Sequence, residues 1–230
     1  MILVVQNEIR PRFRYLGAEI PRFLPPSTEY ILPDNDAAPS LAGVDALVIS
    51  GSTAGVYERA DRPWIDTGME LVCEAVDREI PTLGICFGHQ LVNAALGGAV
   101  EHKGPKHRFV EPTYMNDPLF ENVSAAVPAV HGDMVTEAGQ GMDAIASLTS
   151  DQSDSNYDYP LFATRHESAP VWTVQFHPEL TDRVFDRIVA DFGWTETDVS
   201  IEDVDTAPLF SNFCSLAGVQ HTVEHTHESV

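Results

Sequence analysis

Residues 81 to 98, PTLGICFGHQLVNAALGG, place a cysteine between glycines where the residue periodicity changes. Thr82 to Ile85 is a short apolar run of strand character, and apolar residues from about Gly88 to Leu96 fall at helical spacing. Cys86 therefore stands where a strand turns into a helix, in the pattern Gly-x-Cys-x-Gly. This is the thiol counterpart of the Gly-x-Ser-x-Gly elbow, in which small residues allow a sharp turn that presents a nucleophile. A helix starting at Cys86 favours an anionic sulfur through the partial positive charge of its N-terminus. The backbone N–H of Phe87 would then face the oxyanion of a tetrahedral intermediate. The pattern alone leaves a second reading open: a buried thiol in a glycine-rich turn.

A thiol nucleophile needs a base, and nine histidines are available. His177 follows the apolar run Val171 to Phe176 and precedes Pro178, which ends the strand. That holds the imidazole at a strand's C-terminal end, where α/β proteins carry their sites. Glu179, two residues on, can accept from the imidazole and fix its tautomer, which would complete a Cys-His-Glu triad. In VISGSTAGVYE, Gly51 closes another strand and lets the backbone approach a ligand closely, as a second oxyanion donor must. A plain strand-to-helix connection is the alternative there. A phosphate loop is not, because no Gly-Lys-Ser/Thr ending follows. His89 reads as a helix-packing residue rather than a second base.

These residues need elements to position them. Strands are expected at Ile2 to Val5, Glu29 to Leu32, Ala46 to Ser50 and Thr82 to Ile85. Between the last two, residues 63 to 79 begin with proline and set Ile65, Met69, Val72 and Val76 on one helical face. The arginine-rich segment from Arg10 to Phe23 is expected to be partly helical, as docking surface or scaffold. Strands alternating with helices imply an α/β fold, a mostly parallel sheet flanked by helices. The middle of the chain reads differently, as short strands near 98–101, 108–115, 127–131, 142–148, 161–167 and 171–176. The polar run 151–160 is expected to be an exposed hairpin loop, and helix returns at 181–191 and near 203–218. Residues 1–218 are expected to form one domain, followed by a polar, His-rich, disordered tail at 219–230.

Composition narrows the partners. With 35 acidic against 13 basic residues, the formal net charge is -22. So negative a surface repels nucleic acid and anionic lipid, so neither is expected as a partner. It also repels itself unless salt screens it, which suggests a halophilic protein. No apolar run is long enough to span a membrane, and MILVVQNEIR reads as a buried strand rather than a signal peptide. Three cysteines without CxxC spacing suggest free thiols, a cytoplasmic location and no thiolate metal site. Cys73 and Cys214, among apolar residues on expected helices, read as small core residues.

Four segments, ISGSTAGVYE, LGICFGHQL, HGDMV and VQFHPEL, occur in the order and rough spacing of class I (triad-type) glutamine amidotransferase domains. The resemblance runs from residue 1 to about 218, and GVYE and HGDMV look most like the glutaminase part of GMP synthetases. It implies a flavodoxin-like, largely parallel sheet with a small antiparallel element. It implies Cys86 as nucleophile, His177 as general acid and base, and Glu179 as its orienting partner. Gly51 and Phe87 would form the oxyanion hole, while Gln90, His131 and Asp133 would bind L-glutamine. The chain departs from the family at Ser52-Thr53, where Gly-Pro is frequent, and at Val130, where a serine usually precedes the histidine. The implied reaction passes through a γ-glutamyl thioester to glutamate and ammonia, with no cofactor and no metal. As no ATP-binding signature is present, a separate ATP-dependent synthetase is expected to consume the ammonia. Two alternatives stay open: a stand-alone γ-glutamyl hydrolase, and a non-catalytic regulatory module on the same fold.

Overall fold

In the computed structural model, which describes residues 1–35, 37–149 and 158–219, five short strands pair in parallel. They are β1 (Ile2–Gln6), β2 (Ser27–Ile31), β3 (Ala46–Ile49), β4 (Thr82–Ile85) and β10 (Val171–Val174), in the order β2-β1-β3-β4-β10. This is the flavodoxin-like order, whose strands carry ligands beyond their carboxyl ends. β1, β3, β4 and β10 are buried along their whole length, as parallel strands covered on both faces must be. Alternate residues feed two cores. Leu3, Val5, Leu47 and Ile49 face one shared with Leu71 and Leu91, while Ile2, Val4, Val48 and Ile85 face one shared with Phe210 and Phe213.

The sheet continues antiparallel past β10 through β9 (Tyr159–His166), β8 (Met142–Leu148) and β6 (Thr113–Tyr114). A separate ribbon pairs β5 (Ala99–Val110) with β7 (Val127–Glu137). The small antiparallel element is thus this ribbon together with the sheet's extension. Helices α1 (Trp64–Asp77) and α2 (Phe87–Ala95) lie on one face of the parallel strands. Helix α4 (Pro208–Leu216) buries Leu209, Phe210 and Phe213 in the core of the other face. Helix α3 (Asp182–Phe192) has a smaller core of its own, Leu180, Val184 and Ile188 packed against Tyr15, Leu16 and Val130.

The Arg10–Phe23 segment is partly helical as expected, in two 3-10 turns, Pro11–Phe13 and Gly17–Phe23, with Pro21 inside the second. Several other expectations are corrected. The two short strands expected between 98 and 115 are one long β5 followed by β6, because β7 pairs along β5 on both sides of an irregularity between His102 and Lys106. The last helix starts only at Pro208. Cys214 is buried as expected, but Cys73 is exposed. The buried face of α1 is Ile65, Gly68, Leu71, Val72 and Ala75, which turns Cys73 outward and leaves Met69 and Val76 half-buried. The expected loop falls mostly, and the expected tail almost wholly, outside the described residues.

Candidate active site

The carboxyl ends of β3, β4 and β10 meet at one cavity of about 250 Å³. Gly51 follows β3, Cys86 follows β4, and His177 and Glu179 follow β10. Cys86 has φ +53° and ψ -105°, a backbone conformation that costs a non-glycine residue energy and is held only by its surroundings. Two close packings hold it here. Its N–H donates to the Val174 carbonyl at 2.8 Å. A Cβ on Gly84 would lie 2.7 Å from the Gly88 carbonyl oxygen, and one on Gly88 would overlap the Ile49 carbonyl. The glycines flanking Cys86 therefore let the start of α2 press against the sheet. That pressure presents the sulfur.

His177 is buried beside it, with Nδ1 2.8 Å from Glu179 Oε1 and Nε2 3.2 Å from the Val130 carbonyl oxygen. Both ring nitrogens face acceptors, a demand that only the imidazolium meets in full. Burial works against that charge, but Glu179 and the Cys86 sulfur outweigh it and hold the His177 pKa well above the usual histidine value. The Cys86 Sγ lies 3.6 Å from the same Val130 oxygen. A Cβ on Gly51 would come within 3.0 Å of His177 Cε1, so only glycine fits there without displacing the ring. Among the described residues, the N–H groups of Gly51 and Phe87 donate to no protein acceptor.

The residues expected to hold substrate line the same cavity. Gln90 Nε2 donates to the Asp133 carbonyl and to Gln175 Oε1, both at 3.2 Å. His131 donates from Nδ1 to the Asp133 carbonyl at 3.0 Å, and burial lowers its pKa to about 3, so it is neutral. The Asp133 carboxylate takes His102 Nδ1 at 2.7 Å and the Tyr57 hydroxyl at 3.2 Å. His89 lies outside the cavity lining, fully buried between Thr173 and Tyr159, with its pKa pushed down to about 3 by burial. It packs the helix, as its place in α2 suggested.

Sequence reasoning missed Glu8, Tyr57, His102 and His107, all in the cavity wall. Tyr57 stands in the GVYE segment and was legible in principle. Glu8 was not, because the partner that gives it a role, Thr53, is distant in sequence. Its buried carboxylate accepts from Thr53 N at 2.7 Å, Thr53 Oγ1 at 2.9 Å and Arg10 N at 2.6 Å, fixing the loop after Gly51.

Fold and site together define an α/β enzyme with a cysteine, histidine and glutamate gathered at the carboxyl edge of its parallel sheet. The chain belongs to the class-I glutamine amidotransferase family, whose family model matches residues 5–195. Over 175 residues, 70% of this chain and 31% of the relative, it is 33% identical to a glutamine-hydrolysing GMP synthase of Thermosipho africanus. A GMP synthase of the same description from Pyrobaculum aerophilum is 35% identical over 140 residues, 60% of this chain and 24% of that one. The chain thus spans less than a third of the length of these relatives. A solved glutamine amidotransferase from Thermotoga maritima superposes with a TM-score of 0.66 at 20% identity, covering 94% of this chain and 93% of that one. One from Methylobacillus flagellatus gives 0.68 at 17%, covering 99% and 98%. These two share the fold.

Proposed function

We propose that this protein hydrolyses the side-chain amide of L-glutamine at Cys86 and supplies the ammonia to a separate ATP-dependent synthetase, in the manner of the glutaminase part of a GMP synthase. The Cys86 thiolate attacks the amide carbon, and the oxyanion forms against the N–H groups of Gly51 and Phe87. Nε2 of His177 turns from the Val130 carbonyl to protonate the departing nitrogen. The γ-glutamyl thioester left on Cys86 is then hydrolysed by water that His177 deprotonates, with Glu179 holding the ring throughout. Gln90, His131 and Asp133 hold the amino acid end of the substrate. No cofactor enters this half of the reaction. The work belongs to the domain of residues 1–218, in a cytoplasm where unbridged Cys73, Cys86 and Cys214 stay reduced. No helix among the described residues is long and apolar enough to cross a membrane.

One observation carries this reading: a cysteine at positive φ, beside a buried His177–Glu179 pair and two undonated N–H groups. A regulatory module would have no use for that strain. The test is glutamate release from glutamine by the wild-type chain and by Cys86→Ala. We expect the variant to lose about 10³-fold or more in kcat. Wild-type turnover by Cys86→Ala would reject the mechanism. Recovery of a synthetase from a high-salt pull-down, with higher glutaminase turnover in its presence, tests the destination of the ammonia.

A further inference from the structure

The β5–β7 ribbon forms one wall of the cavity, and its register orders the wall from one end to the other. His102 pairs with Asp133, Lys106 with His131, and His107 with Val130. Asp133 stands three residue steps along the strand from Val130, about 10 Å. Cys86 Sγ and His177 Nε2 both approach the Val130 carbonyl, so the reacting atoms lie at the Val130 end. The Asp133 end is polar, with Tyr57 and His102 on the carboxylate. A glutamyl group brings an ammonium and a carboxylate, which need polar partners when removed from water. They belong at the Asp133 end. With the γ-carbon at the sulfur, the bond to be cut then points away from Asp133, past Val130.

What lies there is apolar. Phe13, Leu16, Ile188 and Phe192 line that part of the cavity, and Val130 packs on the same cluster as Ile188. The rings of Phe13 and Phe192 are 4.7 Å apart, and the His107 ring meets Phe192 at 5.9 Å. Ammonia has no apolar surface to bury against such a wall, whereas a carbon substituent on the departing nitrogen has. We propose that the site also cleaves γ-glutamyl amides whose nitrogen carries an apolar group, with that group seated against Leu16, Phe192 and the edge of Phe13, over the buried Ile188. The inference rests on the acyl chemistry proposed above. The sulfur bonds to the γ-carbon, the C–N bond breaks, and the His177 proton goes to the departing amine. Water then cleaves the C–S bond, and the products are glutamate and the free amine.

The test compares L-glutamine, γ-glutamyl methylamide and γ-glutamyl benzylamide on the whole chain, with Cys86→Ala as the blank. The two amides have similar leaving chemistry and differ in apolar area. We expect kcat/KM for the benzylamide to exceed that for the methylamide at least tenfold. Phe192→Ser and Leu16→Ser, checked for unchanged melting, should each cut that ratio at least fivefold. Equal kcat/KM for the two amides, or a ratio that neither variant moves, overturns the proposal. Glutamine cleaved with both amides refused overturns it and leaves the glutaminase reading standing. Amides cleaved with glutamine refused does the reverse, and no cleavage of any substrate rejects both.

Discussion

His177 sits between two groups that favour its charged form, the Glu179 carboxylate and the Cys86 sulfur. An acid that must protonate a departing nitrogen works only while it holds its proton. Because the His177 pKa lies above the usual histidine range, that form persists to higher pH than an exposed histidine allows. Replacing Glu179 by Gln removes the stronger of the two attractions, so the alkaline limb of the kcat profile should move to lower pH. Loss of the orienting partner should also lower kcat by about 10²-fold or more. A profile with its alkaline limb unmoved would deny Glu179 this role. Glu8 acts one step further out, through the loop after Gly51. Glu8→Gln keeps the shape but turns one oxygen into an NH2 group against the donors of Thr53 and Arg10. Direct loss of an oxyanion donor costs about 10²–10³ in kcat, and displacing its loop should cost about tenfold, with KM changed less. Thr53→Val keeps the stronger N–H bond to Glu8 and should fall less. Steady-state kinetics of the pair decide it. Cys86, His177 and Gly51 were legible because strand ends and glycines mark them locally. Glu8 was illegible because a lone carboxylate gains meaning only from Thr53, 45 residues away.

The element that presents the sulfur depends on close backbone approach. At Gly88 the start of α2 lies against the end of β3, and an added Cβ would overlap the Ile49 carbonyl. Backbone cannot swing aside as a side chain does, so Gly88→Ala should destabilise the fold by about 2–3 kcal/mol and displace Cys86. Urea unfolding checks the first effect and thiol alkylation rates the second. The buried parallel strands were legible as apolar runs, and the middle of the chain was legible as a series of short strands, though their order in the sheet was not. Two things were hidden for physical reasons. Strand β5 runs through EHKGPKHR, whose charges and proline argue against a strand. Its conformation is set by the partner β7, and one side of the ribbon faces solvent. The face of α1 was misplaced because Gly68 carries no apolar signal. In the fold Gly68 is the contact itself, where a Cβ would meet Leu91 and Leu32 at 3.1 and 3.2 Å. The helix turns to bring it inward, and Cys73 goes out.

At the scale of the whole molecule, the net charge of -22 was countable from sequence, but its distribution was not. Nine of the 13 basic residues fall within 10–22, 103–108 and 183–187, the segments that border the cavity. The rest of the surface is left with acid in large excess. On the outward face of α1 partial burial raises the Cys73 thiol pKa, and the charges of Asp77 and Glu70 push it further up. We propose that this repulsion is tolerated because the protein works in concentrated salt. The screening length falls from about 10 Å at 0.1 M salt to about 3 Å at 1 M, which is shorter than most carboxylate spacings on such a surface. The melting temperature should therefore rise by about 5–10 °C between 0.1 and 1 M KCl, equivalent to a few kcal/mol at this chain length. General salting-out would also raise it, so the decisive comparison is a variant with fewer charges. Glu70→Gln combined with Asp77→Asn should melt higher than wild type in dilute buffer, and the difference should shrink as KCl is added. A difference that stays constant across the salt range would mean that these carboxylates act locally and that the acidic surface is no adaptation to salt.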